Sequence, residues 1–262
     1  MAPASPETAP PPERRHALVT GGGRGIGRAI AQALTAAGAD VTVLGRDSRR
    51  LEAAVADGTA RRMVVADLTE DDAAAHAVAR AEAAGGPVAI LVNNAGAAES
   101  ASFARQDAAL WARMIAINLT AVYAMTHALL PGMVGRGWGR VVNIASTAGL
   151  TGYPYVAAYC AAKHRVVGLT RALALEVARS RVTVNAVCPG YTETDLLADS
   201  VATVATKTGQ SEADVRARFA RGNPQGRLVA PAEVATVVTF LCGPGSEAIN
   251  GQAIAVAGGE VM

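Results

Sequence analysis

Residues 20–27 read Thr-Gly-Gly-Gly-Arg-Gly-Ile-Gly and stand between a short apolar run, Ala17–Thr20, and a stretch of helical period, Gly27–Ala37. A second apolar run, Val41–Leu44, comes next. Glycines so placed permit a tight turn and let backbone N–H groups approach a pyrophosphate at the positive end of a helix. Such a turn alone either cradles a phosphate or merely bends the chain. The strand before it, the helix after it and the strand beyond decide for a dinucleotide site, lined by Gly21, Arg24, Gly25, Ile26 and Gly27.

Outward from this turn the same alternation continues. Short apolar runs at Met63–Ala66, Ile90–Val92, Val141–Ile144, Val182–Val187 and Ala253–Val256 lack polar alternation, as strands covered on both faces do. Helical stretches lie between them at Arg49–Ala56, Asp71–Ala84, Asp107–Leu130, Tyr155–Ala178, Glu212–Ala220 and Pro231–Leu241. Strand–helix–strand repetition predicts an α/β fold with a parallel sheet wrapped on both sides. Residues 15–262 show no break in composition and are expected to form one domain. One long excursion, from Val187 to Pro231, leaves the sheet at the C-terminal end of a strand, where ligands sit in such folds. Within it, residues 192–227 are expected to form a mobile lid. Thr203, Thr206, Thr208, Gly209 and Ser211 punctuate it, and Leu196, Leu197 and Phe219 are candidates for covering a substrate.

Bulk properties narrow the class. The chain of 262 residues is 51% hydrophobic but only 4% aromatic, so Ala, Val, Leu and Ile must fill the core. A net charge of +2 without a basic stripe argues against nucleic-acid binding. Gly, Pro or charge breaks the longest apolar stretches, so no membrane insertion is expected. Cys160, Cys188 and Cys242 are odd in number and lack disulfide or metal spacing, which fits the reducing cytoplasm. His16, His76, His127 and His164 are scattered singly, so no metal site is predicted. Residues 1–14, rich in Pro and Ala, read as a disordered tail.

The end of the second strand should meet the adenine ribose. An acid there would bind both ribose hydroxyls and repel a 2′-phosphate. Here the strand ends Leu44-Gly45-Arg46, without a carboxylate at its tip. Arg46, helped by Arg24, is placed to grip a 2′-phosphate, which favours NADP(H); NAD(H) is the alternative, since Asp47 can neutralise Arg46. Asp67-Leu68 follows the third strand, placed for the adenine edge, and Asn93-Asn94-Ala95-Gly96 ends the fourth.

Tyr159 and Lys163 are four residues apart in a helical stretch and so share one face. A phenol with the usual pKa of about 10 is a poor base at neutral pH. An ammonium one turn away draws it toward working range. Ser146, closing the fifth strand, can hydrogen-bond a substrate oxygen beside the tyrosine, and Asn118 can hold a water linking Lys163 to solvent. Singly, each residue has a bland explanation as a surface pair, a cap or a helix polar group.

Together, TGGGRGIG, NNAG, Asn118, Ser146, Tyr159-x-x-x-Lys163 and Pro189-Gly190 resemble the short-chain dehydrogenase/reductase family over about Ala17 to Gly259. That resemblance implies a Rossmann-type three-layer fold with a seven-stranded parallel sheet, and hydride transfer between a nicotinamide and a carbonyl or secondary alcohol. It implies Tyr159 as acid–base, Lys163 holding the ribose and tuning Tyr159, Ser146 orienting the carbonyl and Asn118 supporting a proton relay. It further implies that Pro189, Gly190, Thr192 and Thr194 bracket the nicotinamide, that Asn94, Ala95 and Gly96 support the cofactor, and that the chain forms a tetramer or dimer. The segments VTVNAVCPGYTETDL and LCGPGSEAINGQAIAVAGG are most similar to 3-oxoacyl and polyketide ketoreductases. Gly137 and Ser180, however, occupy positions where fatty-acid ketoreductases carry arginines for carrier docking. A free ketone or a coenzyme A thioester is thus at least as well matched as a carrier-bound acyl group.

Overall fold

His16–Thr20 (β1) is buried at all five positions, because its side chains alternate between two separate cores. In this computed structural model, which describes residues 15–262, Ala17 and Val19 face one core and Leu18 the other. The tail expected over residues 1–14 lies outside the described residues. The remaining strands are Asp40–Gly45 (β2), Arg62–Val65 (β3), Val88–Asn93 (β4), Gly139–Ile144 (β5), Val182–Pro189 (β6) and Ala253–Val256 (β7). All seven pair in parallel in the order β3-β2-β1-β4-β5-β6-β7. The order reverses between β1 and β4, the switch point beyond whose strand ends a crevice forms.

Helices Gly25–Ala36 (α1), Ser48–Ala56 (α2) and Pro231–Cys242 (α9) cover one face, packing Ile30, Leu34, Leu51, Val234 and Val238 onto Ala17, Val19 and Val43. Helix Ala73–Gly85 (α3) lies on the other face. Beside it runs a long rod: Ala108–Ile115 (α4), a π turn at Ala116–Thr120, and Ala121–Gly135 (α5). Ala157–Glu176 (α6) completes that layer. The three-layer Rossmann-type architecture is therefore as expected.

Two details differ from the sequence reading. The rod ends at Gly135, not Leu130, because Pro131 and Gly132 continue the helix instead of breaking it. With them included, residues 108–135 are long and apolar enough to span a membrane by length and composition alone; in the fold they pack beside α3 and α6. The expected loop after β6 contains a further helix, Asp195–Thr208 (α7), ahead of the anticipated Glu212–Arg221 (α8). Threonine was read there as loop punctuation. In the helix the hydroxyls of Thr203, Thr206 and Thr208 donate to the carbonyls of Asp199, Ala202 and Val204 at 2.8–2.9 Å, satisfying themselves against the previous turn.

Candidate active site

Gly21 and Gly25 both have positive φ (66° and 52°), so the turn between β1 and α1 is one that other L-residues adopt only with strain. Gly27 is closed to any side chain: a Cβ there would lie 2.3 Å from the Gly21 carbonyl oxygen and 2.4 Å from Asn94 Nδ2. Asn94 pins the turn to β4 by donating to the carbonyl oxygen of Thr20 at 2.9 Å. In return, the Thr20 hydroxyl accepts from the backbone N–H groups of Asn94 and Ala95. The N-terminus of α1, with Ile26 in its first turn and exposed Arg24 as its cap, opens into the crevice without a side-chain cap of its own. A helix end without a side-chain cap among the described residues, beside bare glycine surface at the switch point, suits a pyrophosphate.

At the tip of β2, Arg46 is 73% exposed and only 3.4 Å from Asp67 Oδ2. Burial alone would raise the pKa of Asp67; hydrogen bonds from the Thr69 hydroxyl and N–H, with the Arg46 charge, outweigh it and lower the pKa. Leu68 turns its side chain inward to the core beside Val64 and Leu44.

The reacting end is built on β5 and α6. Ser146 lies two residues past the end of β5 and caps a short 3₁₀ turn: its Oγ accepts from the N–H of Ala148 at 3.1 Å, leaving its own proton to donate. Burial pushes the Tyr159 phenol up to about 12, with the neighbouring Ser146 hydroxyl acting in the opposite direction. Lys163 is buried in the same helix, and its Nζ lies 5.6 Å from the Tyr159 ring centre. Nζ donates to the Ile144 carbonyl oxygen at 2.8 Å, while burial pulls its pKa down to about 8. A Cβ on Gly96 would lie 2.8 Å from Asn118 Oδ1 and 3.7 Å from Lys163 Nζ, so these three groups converge. The Asn118 side chain, however, is committed: it exchanges hydrogen bonds with the Ala97 N–H and carbonyl and donates to the Met114 carbonyl.

Beneath these groups runs a polar ladder that the sequence reading passed over. Asn93 on β4 donates to Thr126 on α5 and to Asn143 on β5, which donates to Thr170 on α6, each bond within 2.9–3.0 Å. All four residues are buried. Asparagines inside otherwise apolar strands were the available signal, since a buried amide needs partners.

A model described as short chain dehydrogenase matches residues 15–205. The chain belongs to that family. This short chain dehydrogenase is 40% identical over 252 residues to a protein named as a ketoacyl reductase of Streptomyces coelicolor, covering 93% of this chain and 95% of that one. It is 42% identical over 248 residues to an acetoacetyl-CoA reductase of Rhizobium meliloti, covering 94% and 98%. The crystal structure of a variant actinorhodin polyketide ketoreductase with NADPH superposes with a TM-score of 0.90 at 39% identity, covering 94% of this chain and 97% of that one. The short chain dehydrogenase is thus an oxidoreductase acting between carbonyl and alcohol.

Its remaining candidates surround the crevice. Pro189 ends β6, and Gly190 N–H donates to the Val256 carbonyl. Thr192 forms a bridge with Val229, bringing the two ends of the excursion together. Thr194 caps α7 through the Leu197 N–H, and its Cγ2 would touch a Cβ on Gly25 at 3.2 Å. The start of the excursion therefore lies over the glycine turn. Arg50 on α2 adds a tie to Asp195 at 3.3 Å. The excursion is more ordered than its composition suggested. Leu197, Val201 and Val215 form a small core of their own, with Phe219 packed on Tyr191 at 4.6 Å between ring centres. Of the three proposed covering residues, Leu197 is thus buried within the excursion, and Leu196 is the one left 38% exposed.

Proposed function

We propose that this enzyme reduces a ketone or 3-oxoacyl-type carbonyl with NADPH, using Asn118, Ser146, Tyr159 and Lys163. The observation that carries this reading is Ser146 beyond the end of β5 standing with Tyr159 on α6, and the buried Lys163 one helical turn on, its Nζ 5.6 Å from the Tyr159 ring centre. The glycine cradle, Asn94 and the bare helix end of α1 fit a dinucleotide, and the absence of an acid at Gly45 leaves room for a 2′-phosphate beside Arg46 and Arg24. Pro189, Gly190, Thr192 and Thr194 would hold the nicotinamide end. Bound there, the cofactor supplies the hydride.

The chain's own residues do the rest. The Ser146 proton, not used by its cap, orients the carbonyl oxygen. Tyr159, protonated at neutral pH, donates its proton to that oxygen as negative charge develops there. Lys163 stabilises the phenolate left behind. Because the Asn118 side chain is occupied, its support of proton supply falls to the main chain of the π turn. A panel of ketones and 3-oxoacyl thioesters, followed by loss of reduced-nicotinamide absorbance with both cofactors, tests the reading; no consumption with any carbonyl would refute it.

Cofactor choice has its own test. Losing a charge-assisted contact costs about 1.5–3 kcal/mol, so Arg46→Ala is expected to raise KM for NADPH by roughly 10-fold or more and leave NADH nearly unchanged. Equal effects on both would make Arg46 a bystander and restore the NAD-dependent alternative, a catabolic hydroxyacyl or secondary-alcohol dehydrogenase.

Residues 192–227 serve as the lid in this reading, moving as a packed helical pair. Hydrogen exchange across residues 192–219 is expected to slow on adding NADPH and substrate, and Leu196→Ala to change the substrate profile. Equal protection in the free enzyme, with an unchanged profile, would leave no lid. Tyr123 on α5 and Leu175 on α6 are 52% and 81% exposed, which supports a homo-oligomer, a tetramer or dimer, through that layer. A monomer by light scattering would remove that assignment. Three buried, unpaired cysteines are in keeping with a cytoplasmic setting.

A further inference from the structure

We propose that Glu260 is a substrate-recognition residue: its carboxylate accepts a hydrogen bond from a hydroxyl or phenol that the substrate carries away from its ketone. The inference rests on the proposed function, because it assumes that the ketone sits at Ser146 and Tyr159.

Glu260 reaches this position through an unusual turn. After β7, Gly258 and Gly259 both have positive φ (61° and 94°), folding the chain back toward the end of β6. A Cβ on Gly258 would lie 2.1 Å from Asn223 Oδ1, so the turn is wedged against the exit of the lid. The Glu260 side chain then enters the space between Gly190, Gly222 and Tyr153. Positions for a Cβ on Gly190 and Gly222 lie 2.6 Å and 3.4 Å from its carboxylate oxygens.

One oxygen is well served. Tyr153 donates to Glu260 Oε1 at 2.5 Å, and its own oxygen is 2.9 Å from the Thr147 hydroxyl, the neighbour of Ser146. A phenol has one proton, and the carboxylate is the stronger acceptor, so Thr147 donates to Tyr153 and Tyr153 to Glu260. This chain of two hydrogen bonds ties the C-terminal segment to the loop that carries the catalytic serine. Burial and the adjoining carboxylate both raise the pKa of Tyr153, keeping it a donor.

The other oxygen is different. Glu260 Oε2 is buried and has no hydrogen-bond partner among the described residues. A desolvated carboxylate oxygen without a donor is costly, and folded proteins leave few of them. Were the group only a staple for Tyr153, a neutral acceptor would serve, without leaving one oxygen of a carboxylate buried and unmatched. Its surroundings are those of the substrate end of the crevice: Gly190 beside the end of β6, the loop following Ser146, and Tyr191, whose pKa the Glu260 charge helps to raise. A donor on the ligand completes its coordination. A carboxylate on the ligand meets like charge instead. The preferred substrates are therefore neutral hydroxy-ketones, and free keto acids with the acid at that end are excluded.

The test compares tetralone, each of its monohydroxylated ring isomers and a carboxylated tetralone, all reduced with NADPH by the intact enzyme. At least one hydroxy isomer is expected to exceed the parent ketone by 10-fold or more in kcat/KM, and the carboxylated ketone to fall below it. In Glu260→Ala the hydroxyl preference should drop to within about 2-fold, and in Glu260→Gln the carboxylated ketone should gain about 10-fold relative to the parent, as is ordinary for one buried polar contact. Thermal midpoints show whether each variant is folded, and the wild-type ratios stand without either variant. If the wild type reduces these ketones but every hydroxyl ratio stays near one, the recognition role is wrong and the reductase assignment survives. The same holds if the ratios persist in folded Glu260→Ala. If no ketone in this set or in the wider panel is reduced, the proposed function falls and this inference with it.

Discussion

Tyr159→Phe is expected to lower kcat by about 1,000-fold, within the range usual for a lost general acid, while NADPH binding changes by no more than a few-fold. The ring stays in place, so the packing of α6 is preserved and only the proton carrier is removed. The two measurements are single-turnover hydride transfer and a fluorescence titration of NADPH on the same preparation. Retention of most of the turnover in a folded variant would overturn the assignment of Tyr159. A parallel loss of NADPH affinity would mean that the phenol acts mainly in binding.

Lys163→Met should separate catalysis from stability. Turnover is expected to fall by about 100-fold or more, because no ammonium then stabilises the phenolate that Tyr159 becomes on giving up its proton. The cofactor-free protein, in contrast, should become more stable. Burial takes the Lys163 pKa from 10.5 to about 8, and at about 1.4 kcal/mol per pKa unit this costs the fold roughly 3 kcal/mol at neutral pH. Loss of the bond to the Ile144 carbonyl returns about 1 kcal/mol of that. The net gain should raise Tm by roughly 5 °C.

The sign can be checked against pH. Below about 8 both folded and unfolded wild type carry the Lys163 proton, and the penalty is complete. Between about 8 and 10.5 the unfolded chain holds the proton that the folded one releases, so wild-type stability rises with pH. The advantage of Lys163→Met should therefore shrink across that window. An advantage independent of pH would assign the effect to packing instead of charge.

Much of this molecule was legible in its residues. Runs such as Val141–Ile144 and Val182–Val187 could only be strands covered on both sides, and the structure pairs them side by side as β5 and β6. TGGGRGIG and Tyr159-x-x-x-Lys163 were legible because local spacing alone determines their geometry. Helix α7 was missed because a threonine that bonds back to its own helix looks, in sequence, like one that ends it. The occupied side chain of Asn118 depends on a loop 21 residues away, and the Tyr153–Glu260 contact joins residues 107 apart. No periodicity carries information across such distances; only the folded sheet brings those residues together.

The small core shared by Leu197, Val201 and Val215 has a consequence for redesign. Those side chains bury one another and owe little to the sheet, and the Thr192–Val229 bridge closes the segment at its base. Topologically it is a cassette: both ends emerge side by side, so its length and contents can change without moving the register of β6 or the first turn of α9. The Tyr159–Lys163 face is anchored elsewhere, through Asn143 and Thr170. Grafting a foreign helical pair in place of α7 and α8, residues 195–221, while keeping Thr192, Thr194 and Asn223, should therefore exchange which ketones are accepted and spare the proton-transfer apparatus, making this enzyme a chassis for tailored alcohol synthesis.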